Sequence, residues 1–158
     1  MIRKKILLLG DFGVGKTSLI RRYVDRTFDD RYLSTIGVKI SRKQISLENE
    51  LYELLIWDIE GETPVRAIPK SYMKGAAGAI FVADVSRPHT IDELDRHIQR
   101  FNEINPGAPH VLAYNKCDLL DEKRIQKIIQ GSDALPVSAK TDYNVEKLFE
   151  SLVRRIVQ

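Results

Sequence analysis

Apolar residues follow two spacings along the chain. Ile6-Leu7-Leu8-Leu9, Ala79-Ile80-Phe81-Val82-Ala83 and Val111-Leu112-Ala113-Tyr114 are short unbroken runs. Such runs predict strands buried on both faces. Ile91, Leu94, Ile98, Phe101 and Ile104 recur at three and four residues, which predicts one helical face, ended by Pro106-Gly107. Val145, Leu148, Phe149, Leu152, Val153 and Ile156 predict a closing helix in the same way. Residues 16–25 predict a helix, and Ile125, Ile128 and Ile129 mark a short one. Residues 38–47 and 51–57 predict an antiparallel pair joined at Glu48-Asn49-Glu50. Leu135-Pro136-Val137 predicts an edge strand, where proline is tolerated. Strands alternating with helices predict an α/β fold with a mostly parallel sheet and helices on both faces. In such sheets ligands bind beyond the carboxyl ends of the strands.

Composition adds bounds to this pattern. The 158 residues, with no repeat or linker, predict a single domain over 1–158. A hydrophobic share of 43% and a charged share of 30% exclude a disordered or fibrous chain. One cysteine excludes an internal disulfide framework and suggests a reducing, cytoplasmic setting. No apolar run approaches the ~18 residues of a membrane span. The first residues, Met1-Ile2-Arg3-Lys4-Lys5, lead into an apolar stretch that Gly10-Asp11 stops too early for a signal peptide. Charge is unevenly spread: residues 1–47 carry +7 and residues 48–158 carry −4, within a chain of net charge +3. The basic end reads as a solvated face or as the mark of an anionic partner. No concentrated basic stripe with interleaved aromatics points to nucleic acid.

Candidate chemistry falls just after the predicted strands. Gly10-Asp11-Phe12-Gly13-Val14-Gly15-Lys16-Thr17 fits G-x-x-x-x-G-K-[ST] between a strand and a helix. Its glycines let successive N–H groups turn toward phosphate oxygens, and the helix amino terminus adds positive charge. Lys16 is expected on the β- and γ-phosphates, with the Thr17 hydroxyl on Mg²⁺. Asn115-Lys116-Cys117-Asp118 and Ser138-Ala139-Lys140 follow two further strands. Guanine offers N1–H and a 2-amino group side by side, which the Asp118 carboxylate can accept together. Adenine lacks that pair. Asn115 is expected on the base edge and against the phosphate loop, the Lys116 stem over one ring face, and the Ala139 amide on guanine O6. Cys117 reads as a small filler. Asp58 in Asp58-Ile59-Glu60-Gly61 is expected to hold Mg²⁺ through water, and the Gly61 amide to approach the γ-phosphate. Thr35 offers a second Mg²⁺ hydroxyl. Loops held by one phosphate and one metal relax when the phosphate is cleaved, which makes a switch.

With these motifs in order over essentially all 158 residues, the chain resembles the Ras-like small GTPases, and the Rab-type branch most closely. The likeness extends to Ser34-Thr35-Ile36-Gly37, Trp57-Asp58 and Ser71-Tyr72-Met73-Lys74-Gly75-Ala76. It implies a P-loop three-layer α/β/α fold, with a six-stranded sheet, one antiparallel strand and about five helices. It implies a switch that binds GTP–Mg²⁺, hydrolyses GTP to GDP and phosphate, and shows residues 27–40 and 58–75 to effectors and regulators. Lys16, Thr35, Gly61 and Glu62 would serve catalysis. Gly13, Val14, Gly15, Lys16, Thr17, Ser18, Phe28, Tyr32, Thr35, Gly61, Asn115, Lys116, Asp118, Ser138, Ala139 and Lys140 would hold the nucleotide, with Phe28 stacked on the base. Thr17, Thr35 and Asp58 would hold the metal. Ile40, Trp57 and Tyr72 would form the apolar patch that effectors read. A monomer is expected.

Three positions depart from the family pattern. Glu62 stands where a glutamine usually orients the attacking water. A glutamate only accepts hydrogen bonds and brings negative charge to a phosphate gaining charge. Slow hydrolysis without an activating protein is therefore expected, or, in the alternative, a GTP-binding module with little or no turnover. Phe12 stands where the family prefers a small residue and would obstruct an arginine finger supplied in trans; Arg31 is a candidate internal finger by position. The chain ends at Arg154-Arg155-Ile156-Val157-Gln158 with no cysteine after Cys117 for a lipid. Either a tail has been removed or the protein is a naturally soluble relative, reaching a membrane only through a partner. An adenine-nucleotide kinase is a third reading, which Asp118 and Ala139 speak against.

Overall fold

The computed structural model describes residues 1–28, 37–59 and 68–158. Six strands form one sheet: β1 (Ile2–Leu9), β2 (Val38–Leu47), β3 (Glu50–Ile59), β4 (Gly78–Asp84), β5 (His110–Asn115) and β6 (Leu135–Pro136). Their spatial order is β2-β3-β1-β4-β5-β6. Among the described strands only β2 with β3 is antiparallel; every other pair is parallel. The helices are α1 (Lys16–Asp25), α2 (Lys70–Met73), α3 (Pro88–Asp92), α4 (Leu94–Ile104), α5 (Glu122–Ile129) and α6 (Val145–Val157). The fold is therefore the expected α/β one, with a mostly parallel six-stranded sheet.

The apolar runs work because strand side chains alternate between faces. Along β1, Ile6 and Leu8 enter a core with Leu19, Phe149 and Leu152, whereas Leu7 and Leu9 enter a second core with Phe81, Phe101 and Leu94. All seven residues of β4 are buried, as a central strand covered on both sides must be. The first core is closed by Phe149 of α6, whose ring stacks on Tyr23 of α1 at 4.0 Å between centroids.

Local chemistry sets the boundaries. Glu48 and Asn49 take left-handed φ of 50° and 66°. Two such residues make a tight turn whose twist matches the flanking strands, so the β2–β3 hairpin turns there and β3 begins at Glu50. Pairing carries β3 past its apolar stretch, with Lys39 opposite Asp58 and Val38 opposite Ile59. The 91–104 periodicity conceals a break. Pro88 opens α3, and Thr90 Oγ1 donates to the Arg87 carbonyl at 2.8 Å while accepting from the Asp84 amide at 2.9 Å. This hook ties α3 to the end of β4, and α4 starts afresh after Glu93. The short α2 carries too little apolar periodicity to be read from sequence. Its Met73 carbonyl accepts from Asn105 Nδ2 at 2.8 Å.

Register brings the strand ends to one edge of the sheet. Leu8 lies opposite Asp58 and Ile80, and Asp84 lies opposite Asn115. Gly10, Asp58, Asp84 and Asn115 thus arrive together from four separate stretches of chain.

Phe149 is fully buried and has a stacked partner. Phe149→Ala is expected to cost about 3–5 kcal/mol of stability, measured as a lower urea midpoint with an unchanged denaturant slope.

Candidate nucleotide site

The loop from Gly10 to Gly15 leaves β1 and enters α1. At Gly10 φ is 152°, and a Cβ there would collide with the Val82 carbonyl oxygen. Gly15 caps α1 with φ 101°, and a Cβ would collide with Asn115 Nδ2. No side chain caps α1 and no acidic residue lies in its first turn. Its leading N–H groups and its dipole therefore face the loop, an arrangement suited to an anion.

Lys16 is buried, and its Nζ donates to the Gly10 and Asp11 carbonyls at 2.9 and 3.0 Å. Burial pulls its pKa down to about 8, with Asp58 and Asp11 opposing the shift. Thr17 Oγ1 donates to Asp58 Oδ2 at 2.5 Å, so a hydroxyl and a buried carboxylate stand side by side at the head of α1.

The second half of the site is built on β5. Asn115 Nδ2 donates to the Val14 carbonyl at 3.0 Å, and its Oδ1 accepts from the Ala139 amide at 3.3 Å. The expected brace between the base-edge segment and the phosphate loop is present. Lys116 takes a left-handed φ of 65°, which swings its side chain back so that Nζ donates to the Gly13 carbonyl at 3.0 Å. Ser138 Oγ donates to Asp118 Oδ1 at 2.7 Å and accepts from the Thr141 amide at 3.1 Å. Asp118 itself is exposed, as is Lys140, whereas Ser138 and Ala139 are buried. Phe28 is half-buried against the core behind α1. Gly13, Val14 and Ser18 lie in the loop or the first turn of α1, with the Val14 side chain in the core. Burial first, then the neighbouring Asp118, push the Cys117 thiol up, away from the thiolate that a nucleophile needs.

Tyr32, Thr35, Gly61 and Glu62 lie outside the described residues, as does Arg31. Of the apolar patch, Ile40 is 47% exposed and lies opposite Trp57 across the β2–β3 pair. The Tyr72 ring tilts against Trp57 at 6.4 Å, and Lys5 Nζ sits 3.8 Å over the Trp57 ring. The three residues are therefore contiguous.

Sequence reasoning passed over Asp84, Arg87 and Arg22. Asp84 ends β4 and is buried. It accepts from the Ser86 amide and hydroxyl at 2.9 and 2.6 Å, and pairs with Lys116 at 2.9 Å and Arg87 at 3.7 Å. Burial alone would raise its carboxyl; Ser86 and Lys116 outweigh that and hold it below 3.8. Arg87 reaches across to the Phe12 carbonyl at 3.2 and 3.1 Å. A lone aspartate closing an otherwise apolar strand was the available signal for Asp84. Arg87 and Arg22 gave none, because their hydrogen bonds run to backbone carbonyls, that of Phe12 for Arg87 and those of Ala139, Lys140 and Arg26 for Arg22.

A glycine-bent phosphate loop at a strand end, braced by two further strand-end loops, defines a P-loop α/β nucleotide-binding protein. A model of the Ras family matches residues 5–158. Ras-related protein Rab-22A of Canis lupus familiaris is 35% identical, covering 96% of this chain and 82% of its own length. Ras-related protein Rab-8B of Bos taurus is 34% identical, over 97% of this chain and 78% of its own length. Ras-related protein Rab-13 of Bos taurus is 32% identical, over 97% and 79%. The chain belongs to the Ras family, and it is a small GTP-binding switch protein of the Rab type with GTPase activity as its general class. Among the described residues no helix is long and apolar enough to cross a membrane.

The depressed Asp84 carboxyl gives a pH signature. Its contribution to stability is fully present above 3.8, its ordinary value, and is lost as pH falls through its lower folded value. Asp84→Asn is expected to lose less stability than wild type on acidification from pH 5 to pH 2, about one decade above 3.8 and two below, followed by urea midpoints.

Proposed function

We propose that residues 1–158 form one domain in which this chain's own residues bind GTP with Mg²⁺, position it for hydrolysis and display two loops to partners. The observation that carries this reading is the pair of hydrogen bonds from the Asn115 side chain, which joins the phosphate loop at Val14 to the base-reading loop at Ala139. A nucleotide spans those same two places.

The N–H groups of residues 13–18 bind the phosphates, and Lys16 Nζ turns from the Gly10 and Asp11 carbonyls to the β- and γ-phosphate oxygens. Phosphate raises the buried Lys16 back toward full protonation, since an anion beside an ammonium favours the charged form. Asp118 accepts from guanine N1–H and the 2-amino group, the Ala139 amide donates to O6, and Phe28 and the Lys116 stem cover the ring, with Lys140 at the rim and the buried Ser138 holding Asp118. Because Asp118 is exposed here, its selectivity depends on the base covering it: a purine without both donors would leave a desolvated carboxylate unmatched.

Thr17 and Asp58 fit a magnesium ion. They are hard oxygen donors already in contact, and Mg²⁺ takes one or two protein oxygens and completes its shell with phosphate and water. The ion would supply neutralisation of charge on the phosphate oxygens. Thr35 is the further hydroxyl in this reading, Tyr32 flanks the nucleotide, and the Gly61 amide meets the γ-phosphate. Residues 27–40 and 58–75, which include Ile40 and Tyr72, together with Trp57 between them, form the surface for effectors and regulators of a monomeric switch. Glu62 makes hydrolysis slow in the absence of an activating protein.

The test is GTP and ATP affinity measured together with single-turnover phosphate release at saturating Mg²⁺. Tight GTP binding with slow release is expected, and Glu62→Gln should accelerate release on the order of 10²–10³-fold. GTP bound and kept intact would favour the binding module without turnover. An ATP preference would overturn both.

A further inference from the structure

Arg22 is half-buried in the last turn of α1, and its hydrogen bonds join that helix to the loop after β6. Its Nε donates to the Ala139 carbonyl at 2.8 Å, and one terminal nitrogen donates to the Lys140 carbonyl at 2.8 Å. The other reaches the Arg26 carbonyl at 3.4 Å, where α1 ends in a left-handed residue. The guanidinium carbon lies 5.9 Å over the Phe28 ring. One rigid fork therefore touches the end of α1, the aromatic proposed to stack on the base, and the loop proposed to read it.

Ala139 is gripped from both sides. Its N–H faces Asn115 Oδ1 at a long 3.3 Å, and its C=O is held by Arg22. The long bond leaves that amide able to turn toward a better acceptor. Holding the carbonyls of residues 139 and 140 fixes the two peptide planes that follow Ala139, and with them the Cα about which the preceding peptide turns; that peptide carries the Ala139 N–H and is anchored at its other end by the Ser138 carbonyl, which accepts from the Tyr143 amide at 3.0 Å. A lysine could not reproduce this, because an ammonium is a point charge without a planar fork.

We propose that Arg22 is a positioning residue for recognition of the purine 6-position: it acts through Ala139, aiming that amide at the oxygen on guanine C6. The proposal rests on the reading that residues 115–118 and 138–140 take guanine. It deepens that reading by dividing the labour, with Asp118 reading the 2-amino edge and Arg22 supporting only the 6-oxo edge.

Two analogues separate the edges. Six-thio-GDP keeps N1–H and the 2-amino group but offers a sulfur, a poor acceptor, at C6. IDP keeps the 6-oxygen and lacks the 2-amino group. Dissociation constants of GDP, ADP and both analogues would be measured on wild type, Arg22→Lys and Arg22→Ala, full chain in each case. Wild type should disfavour 6-thio-GDP by about three- to tenfold, the weight of one hydrogen bond. In both variants that ratio should fall to near one, whereas the GDP-to-IDP ratio stays at its wild-type value. Both ratios are taken within one variant, so a uniform loss of affinity from weakened folding cannot produce the result. If the variants keep the 6-thio ratio, or lose both ratios equally, the proposal is overturned while the guanine reading stands. A wild type with no preference for GDP over IDP and ADP overturns the guanine reading and this inference with it.

Discussion

The side-chain amide of Asn115 holds two loops in register from a buried position. Its two ends are satisfied by Val14 and Ala139, and its own backbone carbonyl accepts from the Val85 amide at 3.1 Å. A buried amide left half-satisfied costs free energy that a small domain can ill spare, so each of its partners is constrained to stay where it is. The loops after β1, β4, β5 and β6 are thereby locked to one another at a single edge of the sheet. The parallel register makes this possible, because it delivers all four strand ends to the same side.

Charge at that edge is organised around carbonyls and paired ions. Lys16 and Lys116 both fold back onto the phosphate loop, on the carbonyls of residues 10, 11 and 13, and Arg87 holds the carbonyl of residue 12. Three cations thus hold the four successive carbonyls of residues 10 to 13. Asp84 balances two of these cations from beneath, which explains why a carboxylate can sit buried at the end of an apolar strand.

Much of this was legible in the residues. Unbroken apolar runs located β1, β4 and β5, and glycine spacing located the loop, because both signals are local. The split between α3 and α4 was not legible: Ile91 and Leu94 stay in helical phase across it, and the cause is the Thr90 contact to β4, a tertiary hydrogen bond. The cations at 22 and 87 were equally silent, since an arginine that binds distant carbonyls looks like any surface arginine. Asp118 could be named from its motif, but its exposure depends on how the turn after β5 points.

The close approach of Gly15 to Asn115 has a further consequence for variation at these two positions. The Asn115 side chain occupies the space that a side chain at position 15 would need. The two sites therefore share one volume, and substitutions in them cannot be independent. A change at either one alone disrupts a contact that a change at the other has already removed, so the damage of the pair falls short of the sum of the singles. The first strand's exit and the fifth strand's end, a hundred residues apart in sequence, are in this respect a single unit of inheritance.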